Sequence, residues 1–380
     1  MEGVGKMILR ARTADLFNSD KINGFRKNNS ETNMKELELG RLILDSYPRR
    51  LVFELTNLCN LNCIMCGRND SYFEPTVFDV NWIDKLQDAL EHIEEVTLMG
   101  WGEPTVHPKF TEILERLDRH GVRKYFCTNG MRLEELREAI FKHKVDIIAV
   151  SVDGADAETN NSIREGSDFN RIISSLKSIV EEKRSKNLNH PYMNFVFTAM
   201  RSNFHQIPDM VRLAHEVGME EVKVVYLTAF SGRMLDETLY NCQDEVKSIF
   251  DKAERLSEEL GIKLKLPHLQ GEDIAGAKPH KDCYAAWRDL FLGSDGYIRP
   301  CMSTPIKMFN VNDYKNFADM WNSKEYADFR RWVNNDEGMP VSCKTCYQSS
   351  YANWNNMSSF IQIGNDFSPE WGSEAAVSKE

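Results

Sequence analysis

The chain has 380 residues, enough for two or three domains around a continuous apolar core, which excludes a miniprotein. Its 42% hydrophobic and 28% charged content is that of a globular protein, and no stretch is apolar for long enough to cross a bilayer. With 58 Asp and Glu against 47 Lys and Arg the net charge is −11, which disfavours general binding to nucleic acid or an anionic membrane and points to small molecules or peptides.

The opening MEGVGKMILRARTAD lacks the apolar core of a signal peptide, so a reducing, cytoplasmic setting is expected. Residues 1–48 are polar and weakly periodic and read as an N-terminal helical arm ending at Tyr47-Pro48. Six strand candidates follow: Leu51–Leu55, Val96–Met99, Lys124–Thr128, Ile147–Val152, Asn194–Ala199 and Glu221–Tyr226. Amphipathic helices lie between them, with apolar faces such as Phe110, Ile113, Leu114 and Leu117, or Ile172, Leu176, Ile179 and Val180. Repeated strand–helix units need right-handed crossovers and a parallel sheet. The expected fold is therefore α/β, a partial (β/α)6 TIM-like barrel over residues 49–262 with its chemistry at the C-terminal strand ends. Past a helix around Val246–Leu260 the pattern changes to Cys283, a hairpin DLFLGSDGYIRPC turning at Asp295-Gly296, and a helix Asn316–Val333. These define a smaller C-terminal domain, 263–365, and leave a tail, 366–380, whose composition reads as mobile.

Nine cysteines in a reducing compartment must serve some role besides disulfides. Seven fall into two groups, Cys59-x3-Cys63-x2-Cys66 and the set Cys283, Cys301, Cys343 and Cys346. Close thiolates select zinc or iron–sulfur centres. The triplet has no fourth Cys or His nearby, so it leaves one metal position open, whereas the quartet suits either a structural zinc or a fully ligated cluster. Cys127 and Cys242 read as core thiols.

The triplet, placed just after the first strand of a partial barrel, resembles the radical S-adenosylmethionine superfamily. That resemblance implies that Cys59, Cys63 and Cys66 hold three irons of a [4Fe–4S] cluster whose fourth iron is chelated by S-adenosylmethionine, with Met65 as an apolar contact for the adenine. Gly100-Trp101-Gly102-Glu103-Pro104, after the second strand, resembles the family's Gly-Gly-Glu-Pro segment, with Trp101 in place of a glycine. It implies that Gly100, Gly102 and Glu103 receive the methionyl ammonium, the glycines by letting backbone approach a ligand closely. Ser151, Asp153 and Arg164 match the segment that contacts the ribose and the methionyl carboxylate, and Asn203 matches a recurrent polar position.

Cys283-x12-Gly296-x4-Cys301 followed by Cys343-x2-Cys346 resembles the auxiliary-cluster domain of the SPASM and Twitch subgroups. Because no cysteine follows Cys346, the shorter Twitch arrangement fits, which implies one auxiliary [4Fe–4S] cluster on four thiolates. The resemblance as a whole implies two [4Fe–4S] clusters, S-adenosylmethionine, and a flavodoxin or ferredoxin as electron donor. The reaction it implies is hydrogen abstraction by a 5′-deoxyadenosyl radical from a small hydroxylated molecule, a sugar or aminocyclitol, oxidising an alcohol to a ketone while the auxiliary cluster takes an electron. Arg233 and Tyr226, near the end of the sixth strand, are candidates for the substrate pocket. The competing readings are crosslinking or epimerisation of a ribosomal peptide, a sugar epimerase using Cys127 or Cys242 as hydrogen donor, and a zinc-bound binding module.

Overall fold

A computed structural model describes residues 24–70, 74–229, 232–267, 269, 283–302, 304, 306–335, 337–340 and 343; Cys346 and the tail 366–380 lie outside these. In chain order the strands are β1 (Arg50–Phe53), β2 (Asn62–Cys63), β3 (Glu95–Leu98), β4 (Arg123–Thr128), β5 (Ile147–Ser151), β6 (Arg164–Glu165), β7 (Tyr192–Ala199), β8 (Glu221–Tyr226), β9 (Lys263–Lys265), β10 (Asp289–Leu292), β11 (Tyr297–Arg299) and β12 (Phe309–Asn310). Ten of them form one sheet in the order β12-β11-β10-β1-β3-β4-β5-β7-β8-β9, while β2 and β6 pair separately. From β10 to β9 every neighbouring pair is parallel.

All six expected strands form. Two further parallel strands, β9 and β10, flank these six, and β11 and β12 continue the sheet antiparallel beyond β10. β10 is the first strand of the expected C-terminal hairpin, and it pairs with β1 from Arg50↔Asp289 to Phe53↔Leu292. Its four residues are buried on both faces, as a central parallel strand requires. The expected helix Asn316–Val333 is two helices, Phe317–Trp321 and Lys324–Trp332. The break falls where Ser323 Oγ accepts the Tyr326 N–H at 3.3 Å and starts the second helix with its own cap.

Strand alternation sorts the side chains into two sets. Leu51, Phe53, Val96, Leu98, Phe126, Ile148, Val150, Phe195, Val222 and Val224 face outward into the main core under the helices. The inner face carries a separate small apolar cluster of Tyr125, Ile147, Ala149 and Tyr192, and below it a row of charges. Arg50 on β1 and Lys223 on β8 are five strands apart, about 24 Å in a flat sheet at the usual strand spacing. Arg50 nonetheless contributes to lowering the Lys223 ammonium, in keeping with a sheet that curls around its inner face.

The row of charges follows the strand register. Asp289, Arg50, Glu95 and Arg123 are successive partners across β10, β1, β3 and β4. Arg50 grips Asp289 with two bonds of 3.0 and 2.8 Å, Arg123 Nε lies 3.1 Å from Glu95, and Lys265 Nζ lies 3.3 Å from Glu221.

Within the expected arm, whose residues 1–23 lie outside the described residues, a helix spans Gly24–Glu38, and its buried stripe is polar: Arg26, Asn29, Ser30, Asn33 and Glu36. Arg26 donates to the Ile93 and His120 carbonyls, both at 2.7 Å, and Asn33 to the Trp287 carbonyl at 2.8 Å and to Ser46 Oγ at 3.0 Å. Helical spacing is there, written in hydrogen-bonding residues. No helix among the described residues is long and apolar enough to cross a membrane.

Two local features invite measurement. Asn33→Ala strands buried acceptors and is expected to lower the unfolding free energy by about 1–3 kcal/mol in urea titration, while Met34→Ala, on the exposed side, leaves it nearly unchanged. A Cβ on Gly102 would lie 2.3 Å from the backbone oxygens of both Thr56 and Leu58, so Gly102→Ala is expected to cost about 2 kcal/mol or more and to lower iron uptake on reconstitution. Gly24→Ala, which meets nothing within 4 Å, is the control.

Candidate active site

The candidate residues gather on the loops after β1, β3 and β5, at the C-terminal ends of the strands. Cys63 lies on β2, which pairs antiparallel with β6 so that Cys63 faces Arg164. This short ladder pins the cysteine loop to the segment that follows β5. Arg164 Nη1 stands 3.8 Å from Cys63 Sγ, and its Nη2 stands 2.7 Å from Asp153 Oδ2. Asp153 is wholly buried and its Oδ1 accepts the Thr198 N–H at 2.7 Å, which fixes the guanidinium.

The other two cysteines have their own neighbours. Asn129 Nδ2 is 3.9 Å from Cys59 Sγ, while Arg233 donates to the carbonyl of Ile64 and, at 3.3 Å, to that of Cys66. All three thiols are free and half-buried. Burial raises the Cys59 thiol and pushes Cys63 up to about 11, with Arg164 pulling Cys63 the other way. Among the described residues no three His, Cys, Asp or Glu side chains converge on an ion-sized point. Three free thiols suit a larger, open cluster. Arg164 Nε, buried without a hydrogen-bond partner, supplies a donor for an anionic group beside them.

A cleft of about 520 Å³ borders Cys59, lined by Asn60, Asn62, Arg68, Asn69 and Glu165. Met65 packs beside Ile64 on an apolar patch of Ile163, Met200, Leu227, Ala229 and Met234, which agrees with an apolar wall for an aromatic ring.

Several expected residues serve the protein itself. Glu103 is buried, and its carboxylate accepts from Thr105 Oγ1 at 2.6 Å, Thr128 Oγ1 at 2.7 Å, and the backbone N–H groups of Asn129 and Thr105 at 2.7 and 3.1 Å. Those four donors occupy the group that the sequence offered to a methionyl ammonium. Gly100 and Gly102 make close approaches to protein: a Cβ on Gly100 would lie 2.4 Å from the Glu54 side chain, and Gly102 lies against the Thr56–Leu58 backbone. Asn203 is buried and donates to the Asp153 and Thr198 carbonyls at 2.9 and 3.0 Å, a brace between strand ends.

Strand parity corrects two pocket candidates. Tyr226 falls on the outer face of β8, tilted against Phe250 with its hydroxyl 3.4 Å from Gln243, so it does not line the lumen. Cys242 is buried outside the barrel with its thiol on the Leu239 carbonyl, far from the role of a hydrogen donor. Cys127 is on the inner face, half-buried, 3.5 Å from the Tyr125 hydroxyl. Ser151 ends β5 on the same face.

Glu54 was missed in the sequence. Its carboxylate accepts the Trp101 N–H and the Ser294 hydroxyl, both at 2.9 Å, and Ser294 also bonds Thr76 at 2.6 Å. It joins the first cysteine loop, the Gly-Trp-Gly segment and the C-terminal hairpin. A single acid inside the apolar run LVFEL was the available signal. In the C-terminal domain Asn334 braces Cys283, accepting its N–H at 2.6 Å, and Cys343 is buried.

Comparison with known proteins agrees with this arrangement. The radical SAM superfamily description matches residues 53–214, and the SPASM iron–sulfur cluster-binding domain matches residues 283–347. The chain is 24% identical over 321 residues to a tungsten-containing aldehyde ferredoxin oxidoreductase cofactor-modifying protein of Pyrococcus furiosus, covering 78% of this chain and 86% of that one. It is 26% identical over 329 residues to an AdoMet-dependent heme synthase of Methanosarcina barkeri, covering 80% and 90%. It is 26% identical over 287 residues to the mycofactocin maturase MftC of Mycolicibacterium smegmatis, covering 73% and 71%. Among solved structures, Streptococcus suis SuiB bound to S-adenosylmethionine superposes with a TM-score of 0.63 at 17% identity, over 80% of this chain and 72% of that one. The two matched domains imply S-adenosylmethionine and two [4Fe–4S] clusters. The chain belongs to the radical SAM superfamily and is a radical SAM enzyme with a C-terminal SPASM domain.

Proposed function

We propose that this enzyme removes a hydrogen atom from a substrate held in the barrel lumen, and that the substrate is a small hydroxylated molecule, a sugar or aminocyclitol. The observation that supports the hydrogen-abstraction part of this reading is the clamp of Cys63 to Arg164 and Asp153, which sets a cation beside an open three-thiol loop at the mouth of the barrel; the substrate class follows from the resemblance of the four-cysteine spacing to Twitch dehydrogenases. In this reading residues 49–262 are the catalytic barrel, 263–365 the auxiliary domain, and Cys59, Cys63 and Cys66 hold the first cluster. Cys283, Cys301, Cys343 and Cys346 hold the second. Bound there, S-adenosylmethionine and the first cluster would supply a radical that takes the carbinol hydrogen atom, and the second cluster would accept the electron that leaves as the hydroxyl proton passes to a base, giving a ketone. Arg164, oriented by Asp153, holds the methionyl carboxylate, and Met65 walls the adenine. Arg233 keeps the cysteine loop in place through its carbonyls. A flavodoxin or ferredoxin is the electron donor.

A peptide substrate is the second reading. A mycofactocin maturase is among the relatives, and the SuiB fold is also known bound to its precursor peptide SuiA. Epimerisation of a sugar carbon is supported by the lumen position of Cys127, where a thiol can return a hydrogen atom.

Anaerobic reconstitution is expected to give about eight irons per chain, falling to about four in the Cys59→Ala, Cys63→Ala, Cys66→Ala variant with loss of 5′-deoxyadenosine formation. Zinc in place of iron, or no cleavage of S-adenosylmethionine under dithionite, overturns the reading. Arg164→Met is expected to keep its iron and lose about tenfold or more in 5′-deoxyadenosine formation, the size of one charge-assisted hydrogen bond. An unchanged rate removes Arg164 from the binding role. Screening aminocyclitols, sugars and then peptides separates the substrate classes.

A further inference from the structure

Glu54 follows β1, ahead of the cysteine loop, and three segments meet at its buried carboxylate. Oε1 accepts the Trp101 N–H at 2.9 Å, while Oε2 accepts the Ser294 hydroxyl at 2.9 Å and the Ser294 N–H at 3.3 Å. Ser294 gives its one hydroxyl proton to Glu54 and so accepts from Thr76 in their 2.6 Å bond. Thr76 is anchored in turn to the stretch that leads into the cysteine loop: its N–H donates to Asn57 Oδ1 at 2.9 Å, and its carbonyl accepts the Thr56 hydroxyl at 2.7 Å. These bonds close a ring that runs from Glu54 through Ser294 and Thr76 back to Thr56 and Asn57. Ser294 is its member from the C-terminal domain, and the hairpin fixes its place, because the Gly293 N–H donates to the Tyr297 carbonyl at 2.9 Å and Arg299 grips Asp295 at 2.9 and 2.7 Å. On the far side of Glu54 the Gly100-Trp101-Gly102 segment lies directly on the ring. A Cβ on Gly100 would stand 2.4 Å from Glu54 Cγ, and the Glu103 N–H donates to the Leu58 carbonyl at 2.8 Å.

We propose that Ser294, a residue of the C-terminal domain, is a positioning residue for S-adenosylmethionine binding in the barrel, acting through the Glu54 carboxylate on the Gly100-Trp101-Gly102 backbone. The proposal rests on the reading of that segment and the cysteine loop as walls of the S-adenosylmethionine site. A ligand that touches both walls needs them at one spacing, and the ring sets that spacing from the hairpin side. Apparent affinity falls with the fraction of molecules in which the walls are correctly placed. Without the Ser294 hydroxyl, Oε2 keeps only the N–H at 3.3 Å and the Thr76 hydroxyl loses its acceptor. A carboxylate no longer held from the hairpin is free to rotate, and the Trp101 N–H loses its fixed anchor. Because coupling between two sites is reciprocal, occupancy of the barrel site must in turn steady the hairpin.

Both directions of the coupling are measurable without turnover. Full-length holoenzyme, reconstituted anaerobically, is dialysed to equilibrium against labelled S-adenosylmethionine with no reductant present. Ser294→Ala is expected to keep about eight irons per chain and to raise the Kd about fivefold or more. Ser294→Thr, which restores the hydroxyl, is expected to recover most of the affinity. Ser323→Ala removes a helix cap elsewhere in the same domain and is expected to leave the Kd unchanged. An unchanged Kd in Ser294→Ala, an equal rise in Ser323→Ala, or a Ser294→Thr protein as weak as Ser294→Ala overturns the proposal. In the wild type, S-adenosylmethionine is expected to slow amide hydrogen exchange in the hairpin, residues 289–299, more than in the helix Lys324–Trp332; equal slowing overturns the proposal as well. If Ser294→Ala takes up no iron, the wild-type exchange decides alone. Arg164→Met separates this coupling from the site it acts on. Weaker binding in Arg164→Met with none lost in Ser294→Ala leaves the S-adenosylmethionine site standing and removes the coupling, whereas full affinity in both removes the reading of the site itself.

Discussion

Charges on the buried inner face of the sheet must find partners, and that requirement fixes the register on which the rest of the molecule depends. Asp289, Arg50, Glu95 and Arg123 follow one another across four strands at the same height. Such pairs contribute little net stability, because desolvation consumes most of their attraction. A slip of one residue, however, would turn each charge into the apolar core under the helices and bring Leu51 or Val96 inside. The ladder therefore acts through the alternatives it penalises. Once it is set at the strand starts, the strand ends are aligned as well.

Alignment of the strand ends is what turns separate loops into a site. The cysteine loop leaves β1, the Gly-Trp-Gly-Glu segment leaves β3, and the Asp153 segment leaves β5. Gly102 allows the first two to touch backbone to backbone, and Glu103 ties the second to β4 through Thr128 and Asn129. The β2–β6 ladder then closes the first loop on the third. A carboxylate buried at each junction, Glu54, Glu103 or Asp153, accepts from donors on neighbouring segments. Polar burial here serves position, which is why residues that resemble ligand contacts in the sequence are found bonded to protein.

The strands were legible because their outward residues are β-branched or aromatic, and the cysteine groups because thiols at such short spacing are suited to ligating a soft metal and to little else. The inner face was less legible, although its signal was present. RLVF, EVTL, RKYFCT, EVKVVY and DLFL each begin with a charged residue that a search for apolar runs discards. Parity from those charges would have placed Lys223 and Cys127 inside and Tyr226 outside. The arm at Gly24–Glu38 escaped for a related reason: its buried stripe repeats at helical spacing in Arg, Asn, Ser and Glu, so a hydrophobic period finds nothing. Cys242 could not be excluded by composition, since a thiol packs equally well under a helix and in a lumen.

Continuity of the sheet also constrains how the two cysteine groups relate. β10 begins six residues after Cys283 and pairs along its whole length with β1, from whose end the first cysteine loop departs. Glu54 accepts from Ser294 on the hairpin and from Trp101 on the opposite side. The C-terminal domain is thus registered to the barrel by a strand pair and a buried hydrogen-bond junction. Relative motion of the domains would break parallel backbone pairing at Phe53↔Leu292 and expose the Glu54 carboxylate. The separation of the first cysteine loop from Cys283 is accordingly set by the same register that sets the floor charges.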